Sequence, residues 1–402
     1  GDGGYNYTTN TLDNNETEAS AYRVDVSLGV KDIIENGRGR VTFYRQDREA
    51  GYAAPGQTTD RDVTQYGGTA EMPLGESFDA RVKLDKQIQQ DGLETDAGEV
   101  NLDYNMTQKW ILSSGLRHDK REDNSTIVPQ TQEVGKRTDA VVKMKYDSLA
   151  RWATYGFVQD TVNTTGNRDE NRRVGVGGDM RLTERLNLVG EVSEGDLGPG
   201  AKIGTEYLYS DKTTLYQNYT LENERSDNGL LARKGNMTSG FRTRYSDSMS
   251  VFLEERYSHG DIPTGLTHST GVDLAVTERL NLEGNLDFGS LKDPQTAAEI
   301  DRKTISGSIG YGFDHVKLAS GLEYRVDENK QPDTGFTKRT TWLFKNNLKY
   351  QISQDWRLLG KFNYSLSESS LGDFYDGDYT EAVLGFGYRP IYHDRLNVLL
   401  KY

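Results

Sequence analysis

The most regular feature of this chain is the alternation of apolar and polar side chains at every second position. It is clearest in FDARVKLDKQ (78–87), DAVVKMKYD (139–147), VKLASGLEYRV (316–326) and WRLLGKFNYSL (356–366). Successive side chains of a β-strand point to opposite faces, whereas the side chains of a helix repeat about every 3.6 residues. We find no stretch with a convincing helical period, so the pattern predicts an all-β protein.

Strands of about 9–14 residues recur about twenty-three times, joined by connections of two alternating kinds. Soluble strands average about 5–6 residues, and crossing a membrane at a tilt takes about 9–11 residues. One kind of connection is very short, and the other is longer and rich in Gly, Asp, Asn, Thr and Pro. This arrangement predicts a transmembrane antiparallel up-and-down β-barrel of about 22–24 strands, with short periplasmic turns and longer extracellular loops.

One short motif recurs at the start of four strands: a Thr or Ser, two polar residues, then an apolar residue. The copies are MTQKWILSSGLRHD from Met106, LTERLNLVGEVSEG from Leu182, VTERLNLEGNLDFG from Val276 and ISQDWRLLGKFNYS from Ile352. We interpret each copy as a short turn followed by the first half of the next strand. The motif recurs because every hairpin must reverse direction at the same rim.

The composition fits a structure in which one face is exposed to water along the whole length of the chain. Only 34% of the residues are hydrophobic and 27% are charged, and the mean hydropathy is −0.76. Such values can indicate disorder, but 24 Tyr, 12 Phe and 4 Trp are spread along the chain. A soluble sandwich would need more apolar residues, and a solenoid would need a shorter fixed repeat. We therefore interpret the polar face as the lining of a hydrated lumen.

Charge and cysteine content exclude several kinds of partner and cofactor. A net charge of −14 argues against nucleic acid, which needs a basic face to neutralise phosphates. The chain has no Cys, so Cys-ligated zinc, iron–sulfur clusters and covalently attached c-type haem are excluded. We expect no cofactor, and the sequence supports no enzymatic activity.

The alternating strands, the two kinds of connection and aromatic strand ends such as Tyr104, Tyr146, Tyr350 and Tyr388 resemble the bacterial outer-membrane β-barrel superfamily. The resemblance covers residues 1–402 as a single transmembrane domain, expected to be part of a longer chain. The stretch FYDGDYTEAVLGFGYRPIYHDRLNVLLKY (374–402) is similar to the C-terminal barrel of very large proteobacterial envelope proteins, which carry repeat or OmpA-like regions elsewhere. This narrower resemblance implies a membrane anchor or conduit in the bacterial outer membrane.

Alternation assigns side chains to the two faces of the barrel wall. The residues expected to face lipid are Val82, Leu84, Val142, Met144, Leu318, Leu358 and Leu384. The residues expected to line the lumen are Asp79, Arg81, Lys83, Asp85, Lys143, Lys145, Lys317, Glu323, Arg325 and Lys361. The mixed signs predict a hydrated pore with weak charge selectivity, and about 22–24 strands predict a wide one.

Three functional classes follow from this wall. The barrel anchors or conducts a larger polypeptide or assembly, or it is a self-sufficient diffusion porin, or it is a sheath around a partner such as a cytochrome. A TonB-dependent transporter would carry a globular plug before its barrel, whereas the strand pattern starts here by about Tyr5. The expected partners are outer-membrane lipid, lipopolysaccharide, the outer-membrane assembly machinery, and a larger polypeptide or plug in the lumen.

Candidate chemistry is sparse. The five histidines share no metal-ligand spacing: His118, His259, His268, His315 and His393. HGD at 259–261 places a His beside an Asp at a loop, where surface-protease barrels use acid–His catalysis. An exposed polar loop explains these residues better than catalysis does. In GDFYDGDYTE, Asp373, Asp376 and Asp378 are a weak calcium candidate that lacks the spacing of a known calcium loop.

The last strand raises a question of strand number. An odd count near twenty-three, with a last strand running toward the long loops, conflicts with the even strand number of bacterial single-chain barrels. We therefore expect the native chain to continue past Tyr402 with at least one further aromatic-ended strand.

Overall fold

The structure is a computed structural model that describes residues 19–32, 34–35, 37–54, 57–59, 61–126, 134–225, 231–294, 296–331, 335–371, 377–390, 392 and 397–401. The described residues are almost entirely strands, joined by turns, loops and one 3-10 turn at Val30–Asp32. No helix among them is long and apolar enough to cross a membrane.

The strands are numbered in chain order. They are β1 (Ala21–Gly29), β2 (Arg40–Arg48), β3 (Ala53–Ala54), β4 (Gln57–Thr58), β5 (Val63–Leu74), β6 (Phe78–Gln89), β7 (Leu93–Asn105), β8 (Trp110–Asp123), β9 (Gly135–Asp147), β10 (Trp152–Gly166), β11 (Arg173–Arg181), β12 (Leu186–Gly195), β13 (Gly200–Ser210), β14 (Thr213–Arg225), β15 (Leu231–Ser246), β16 (Met249–Gly260), β17 (Thr264–Ala275), β18 (Leu280–Lys292), β19 (Glu299–Gly312), β20 (Val316–Gln331), β21 (Gly335–Gln351), β22 (Trp356–Ser369), β23 (Gly377–Tyr388) and β24 (Asn397–Lys401).

All strands except β3 and β4 belong to one 22-stranded sheet in which each strand pairs antiparallel with its sequence neighbours. The sheet closes on itself because β24 pairs with both β23 and β1. The closing register places Val24 opposite Leu400 and Val26 opposite Val398. The predicted fold, an all-β antiparallel up-and-down barrel, is confirmed.

The odd strand count near twenty-three is wrong. In an up-and-down barrel, strand direction alternates, so the first and last strands can pair antiparallel only when the number of strands is even. The first strand within the described residues begins at Ala21, and the strand start expected near Tyr5 lies outside them. The last strand does run toward the longer loops, as expected, and the continuation past Tyr402 stays a prediction.

The four copies of the repeated motif are tight turns closed by their own hydroxyl groups. The Thr107 Oγ1 accepts hydrogen bonds from the backbone N–H groups of Lys109 and Trp110, both at 3.1 Å. Thr277 does the same for Arg279 at 3.2 Å and Leu280 at 3.0 Å. The corresponding acceptors are Thr183, for Arg185, and Ser353, for Asp355 and Trp356. A short hydroxyl side chain occupies the first turn position because it satisfies backbone donors that the reversal leaves unpaired.

Most of the longer connections lie at the other rim, such as residues 49–62 between β2 and β5. The rim of the repeated turns also carries two longer connections, residues 30–39 and 389–396. The connection between β2 and β5 contains the separate β3–β4 hairpin, which pairs Ala53 with Thr58. We call the two ends of the barrel the short-turn rim and the long-loop rim. The first residue of β1, Ala21, and the last residue of β24, Lys401, both lie at the long-loop rim. β1 runs toward the connection of residues 30–39, and β24 runs away from the connection of residues 389–396.

The turn hydroxyl gives a direct test of this local structure. Replacing Thr277 by Val keeps the shape of the side chain but removes the acceptor for two backbone N–H groups. We expect a loss of about 1 kcal/mol in the free energy of unfolding, measured by urea titration of the barrel in lipid vesicles. Thr277→Ser retains the hydroxyl and should behave as wild type; equal losses in both variants would contradict the assigned role.

Candidate functional site

The outward face of the barrel is an apolar band. Its side chains are directly opposite one another across neighbouring strands, as in Val82 with Val100 and Leu112 with Met144. Large apolar side chains there are open to the surroundings: Leu84 is 58% exposed and Val142 is 53% exposed. Such exposure is unfavourable in water and expected in lipid. Register places all seven residues predicted to face lipid on this face: Val82, Leu84, Val142, Met144, Leu318, Leu358 and Leu384.

An aromatic belt bounds the apolar band at the short-turn rim. Phe78 stacks on Tyr104 with ring centroids 4.5 Å apart. Tyr146 lies between two tryptophans, 4.8 Å from Trp110 and 5.2 Å from Trp152. Further around the barrel, Tyr311 contacts Phe313, and Trp356 contacts Tyr388. Amphipathic rings at the ends of transmembrane strands mark the membrane–water interface.

A collar of charged side chains bounds the same outward face toward the long-loop rim. On β6 the apolar row ends at Lys86, which forms ion pairs with Glu94 at 2.6 Å and Asp96 at 3.3 Å. On β20, Lys330 pairs with Asp301 at 2.7 Å. On β6, the outward positions between belt and collar are Ala80, Val82 and Leu84.

The inward face carries the residues predicted to line a pore. Asp79, Arg81, Lys83 and Asp85 lie on the face of β6 opposite Val82 and Leu84. Register places the other six on the same inward face: Lys143 and Lys145 on β9, Lys317, Glu323 and Arg325 on β20, and Lys361 on β22. That these residues line a conducting pore stays a prediction.

Several inward bases have an acidic partner on a neighbouring strand. Arg81 pairs with Asp103 at 2.8 Å, Lys345 with Glu323 at 2.8 Å, and Lys361 with Glu381 at 2.8 Å. Lys143 instead lies over the ring of Tyr155, 3.7 Å from its centroid. The wall therefore carries both signs of charge, and such a wall holds water.

A second inward feature joins three strands at once. Tyr155 lies over Gly177 of the next strand and donates a hydrogen bond to Glu191 of the strand beyond. The same arrangement joins Tyr44, Gly67 and Asp85, and also Tyr216, Gly240 and Glu254, where the tyrosine Oη is 2.7 Å from the carboxylate. We call these the Tyr–Gly–acid bridges. Each tyrosine is the fourth or fifth residue of its strand, so all three lie near the short-turn rim.

Glycine is required at the centre of each bridge. A Cβ on Gly177 would lie 2.6 Å from the Oη of Tyr155, and a Cβ on Gly240 would lie 2.7 Å from the Oη of Tyr216. Both distances are well below van der Waals contact. The absent side chain lets the ring lie flat against the backbone and reach the acid. Sequence reasoning assigned Asp85 to the lumen but missed the bridges, since each joins residues of three different strands.

One loop at the long-loop rim folds onto the inward wall. The side chain of Arg168, between β10 and β11, is 3% exposed and forms an ion pair with Asp119 of β8. Burial lowers the pKa of the Arg168 guanidinium. Beside it, Arg137 pairs with Asp139 at 2.9 Å, and the hydroxyl of Thr161 donates to Asp139 at 2.7 Å. The cluster fixes this loop against β8, β9 and β10.

The structure describes only some of the histidines and of the candidate calcium-binding residues. Asp373, Asp376 and His393 lie outside the described residues, and Asp378 accepts a hydrogen bond from the Tyr364 hydroxyl at 3.2 Å. Among the described residues, no group of three or more His, Asp or Glu side chains could hold a metal ion. His259 stacks on Tyr219, with its Nε2 3.2 Å from the tyrosine Oη.

A closed barrel with an apolar outer band, an aromatic belt and a polar interior defines a multi-pass β-barrel of the Gram-negative outer membrane. The fold is similar to that of the siderophore receptor PirA from Acinetobacter baumannii, with a TM-score of 0.53, 10% identity, and 96% of this chain and 80% of that chain covered. It is also similar to the copper transporter OprC (TM-score 0.54, 10% identity, 96% and 80% covered). A third similar structure is FpvA of P. aeruginosa bound to a pyoverdine (TM-score 0.51, 14% identity, 95% and 71% covered). No protein-family model matches the chain, and no curated protein matches it in sequence.

The assignment of faces gives opposite expectations for adjacent residues. Leu84→Arg places a charge in the apolar band and should lower the free energy of unfolding in vesicles by about 2–4 kcal/mol. Lys83→Arg, on the inward face, should change it by less than about 0.5 kcal/mol. Because the chain has no Cys, single-cysteine variants at the two positions can be labelled cleanly. Equal labelling of both by a membrane-impermeant maleimide would refute the assignment.

The Tyr–Gly–acid bridges give a second test. Gly177→Ala forces a methyl group against the ring of Tyr155, and we expect it to destabilise the barrel by about 1–3 kcal/mol in urea titrations. Gly190 is the matched control because a Cβ there meets no atom within 4 Å. If Gly190→Ala lowered stability as much as Gly177→Ala, the close approach of the ring would not be the cause.

Proposed function

We propose that this barrel is a wide, water-filled and weakly selective pore that serves as the membrane anchor or conduit for a larger polypeptide or assembly. The observation that supports it best is the inward wall, which carries both acids and bases. Several of them pair between neighbouring strands, as Lys345 does with Glu323 and Lys361 with Glu381. A wall that carries both signs of charge stays hydrated and binds a passing ion or chain only weakly.

The width of the barrel supports the same proposal. Barrels of sixteen to eighteen strands leave an aqueous channel, and twenty-two strands enclose a wider lumen that a plug normally fills. Within the described ranges, the residues outside the strands form only turns, loops and the β3–β4 hairpin. The similar structures are named as a siderophore receptor, a complex of FpvA with a pyoverdine, and a copper transporter. Likeness at such low identity shows the fold alone. We therefore assign no substrate from them.

The anchor role rests on the resemblance of residues 374–402 to the C-terminal barrel of very large proteobacterial envelope proteins. In this proposal the partners are outer-membrane lipid, lipopolysaccharide, the assembly machinery, and the larger polypeptide in or beside the lumen. A self-sufficient diffusion porin is the alternative. The loop of residues 167–172 that folds inward lies against β8 to β10 and is much shorter than a loop that would narrow so wide a bore. A sheath around a partner such as a cytochrome is the second alternative.

The pore is tested by recording currents from the purified barrel in planar lipid bilayers. We expect large conductance steps with weak selectivity between potassium and chloride, because the lumen is wide and its charges are mixed. Insertion is verified separately by protease protection in vesicles. A verified insertion without conductance would refute an open lumen. Strong rectification or high selectivity would instead favour a narrowed, self-sufficient porin.

A further inference from the structure

A cavity of about 980 Å³ opens on the inward face at the short-turn rim. Its wall is formed by seven neighbouring strands, from β20 through β24 and on to β1 and β2. Lining residues from strands so far apart can surround one space only on the concave side of the barrel. The cavity therefore belongs to the lumen and faces away from lipid.

Basic side chains outnumber acidic ones in this cavity. Five Lys or Arg side chains line it: Arg23, which pairs with Asp25, and Lys317, Lys349, Arg357 and Arg389. We call the last four the basic mouth. No acidic side chain of the described part of the chain forms an ion pair with any of them; Arg357 instead donates to the amide oxygen of Gln351 at 2.8 Å.

The two acids that line the cavity are already held by other arginines. Asp25 accepts two hydrogen bonds from Arg23, at 2.8 and 2.9 Å. Asp314 pairs with Arg279 at 2.8 Å. Neither carboxylate is left to neutralise the basic mouth. The excess of positive charge is local, since the whole chain carries a net charge of −14.

The register concentrates this charge further. Lys317 and Lys349 lie directly opposite each other on β20 and β21. Arg357 of β22 is opposite Gln351, which places it diagonally beside Lys349. Like charges in opposed positions of a sheet repel each other and are destabilising. In contrast, the inward Lys345 and Lys361 each form an ion pair with a glutamate of a neighbouring strand. A bound anion would relieve the repulsion here.

We propose that the basic mouth is a binding site for soluble multivalent oxyanions, with phosphate groups as the chemistry it recognises. Lysine ammonium and arginine guanidinium groups both bind phosphate oxygens, and the arginine does so with a planar fork of donors. Leu359 and Leu399 add apolar wall beside the bases, so a phosphorylated organic solute also fits. Lipid phosphate is disfavoured as the ligand because the site faces the lumen. The proposal deepens the proposed function, since the anion reaches the site through the pore.

Binding is tested by isothermal titration of the folded barrel in detergent with inorganic tripolyphosphate at low ionic strength. We expect saturable binding that weakens as salt is added. The double variant Lys317→Gln/Lys349→Gln should weaken it about tenfold or more. The matched control is Lys345→Gln/Lys361→Gln, which removes two inward lysines that pair with glutamates; it should bind as wild type. Absence of binding to wild type, or equal loss in both double variants, would overturn the site.

A charge reversal guards against variants that fail to fold. Lys317→Glu places a carboxylate opposite Lys349, a favourable cross-strand pair, so the barrel should fold and binding should be abolished. Folding is checked by heat-modifiable migration in gels. Retained binding in this variant would refute the proposal. The titration does not depend on conductance. Binding without conductance would refute only the proposed function, and conductance without binding would refute only the anion site.

Discussion

In the hydrocarbon of a bilayer there is no water to pair with a backbone N–H or C=O group, and each one left unpaired costs several kcal/mol. This constraint governs the whole molecule. It requires every strand to have a partner on both sides, and the pairing of β24 with both β23 and β1 is what meets it at the seam. Closure in turn fixes an even number of strands, because neighbouring strands alternate in direction.

Closure also gives the wall two faces with opposite solvents. Along β6, Val82 and Leu84 face lipid while Arg81 and Lys83 face the interior. A sheet with lipid on one side and water on the other has no dry core, which is why few residues are fully buried and why 34% hydrophobic residues suffice. Stability comes from the hydrogen-bond ladder and from contacts made within each face. On the inward face, the Tyr–Gly–acid bridges and the cross-strand ion pairs fasten two or three strands together.

The same wall organises the functional proposals. Acids and bases together make its inward face a hydrated surface that suits a passive conduit. At the short-turn rim, Lys317 and Lys349 oppose each other. A wide pore with one uncompensated basic mouth can be weakly selective as a conductor and still hold a multivalent anion at its entrance. The aromatic belt at the same rim fixes the height of that entrance relative to the membrane.

The sequence by itself determined the strands, their two faces and the short turns, because these depend on neighbours within a few positions. Alternation assigned Val142 to lipid and Lys143 to the lumen, and the Thr-x-x-apolar motif marked the turn at Thr277, whose hydroxyl bonds only two and three residues ahead. Only the tertiary structure decided the strand number, since that depends on β1 meeting β24 across the whole chain. It alone joined Tyr155 to Glu191, 36 residues apart, and placed Lys317 opposite Lys349. These pairings are set by register between strands, and a period-two pattern gives the face of a residue without giving its partner.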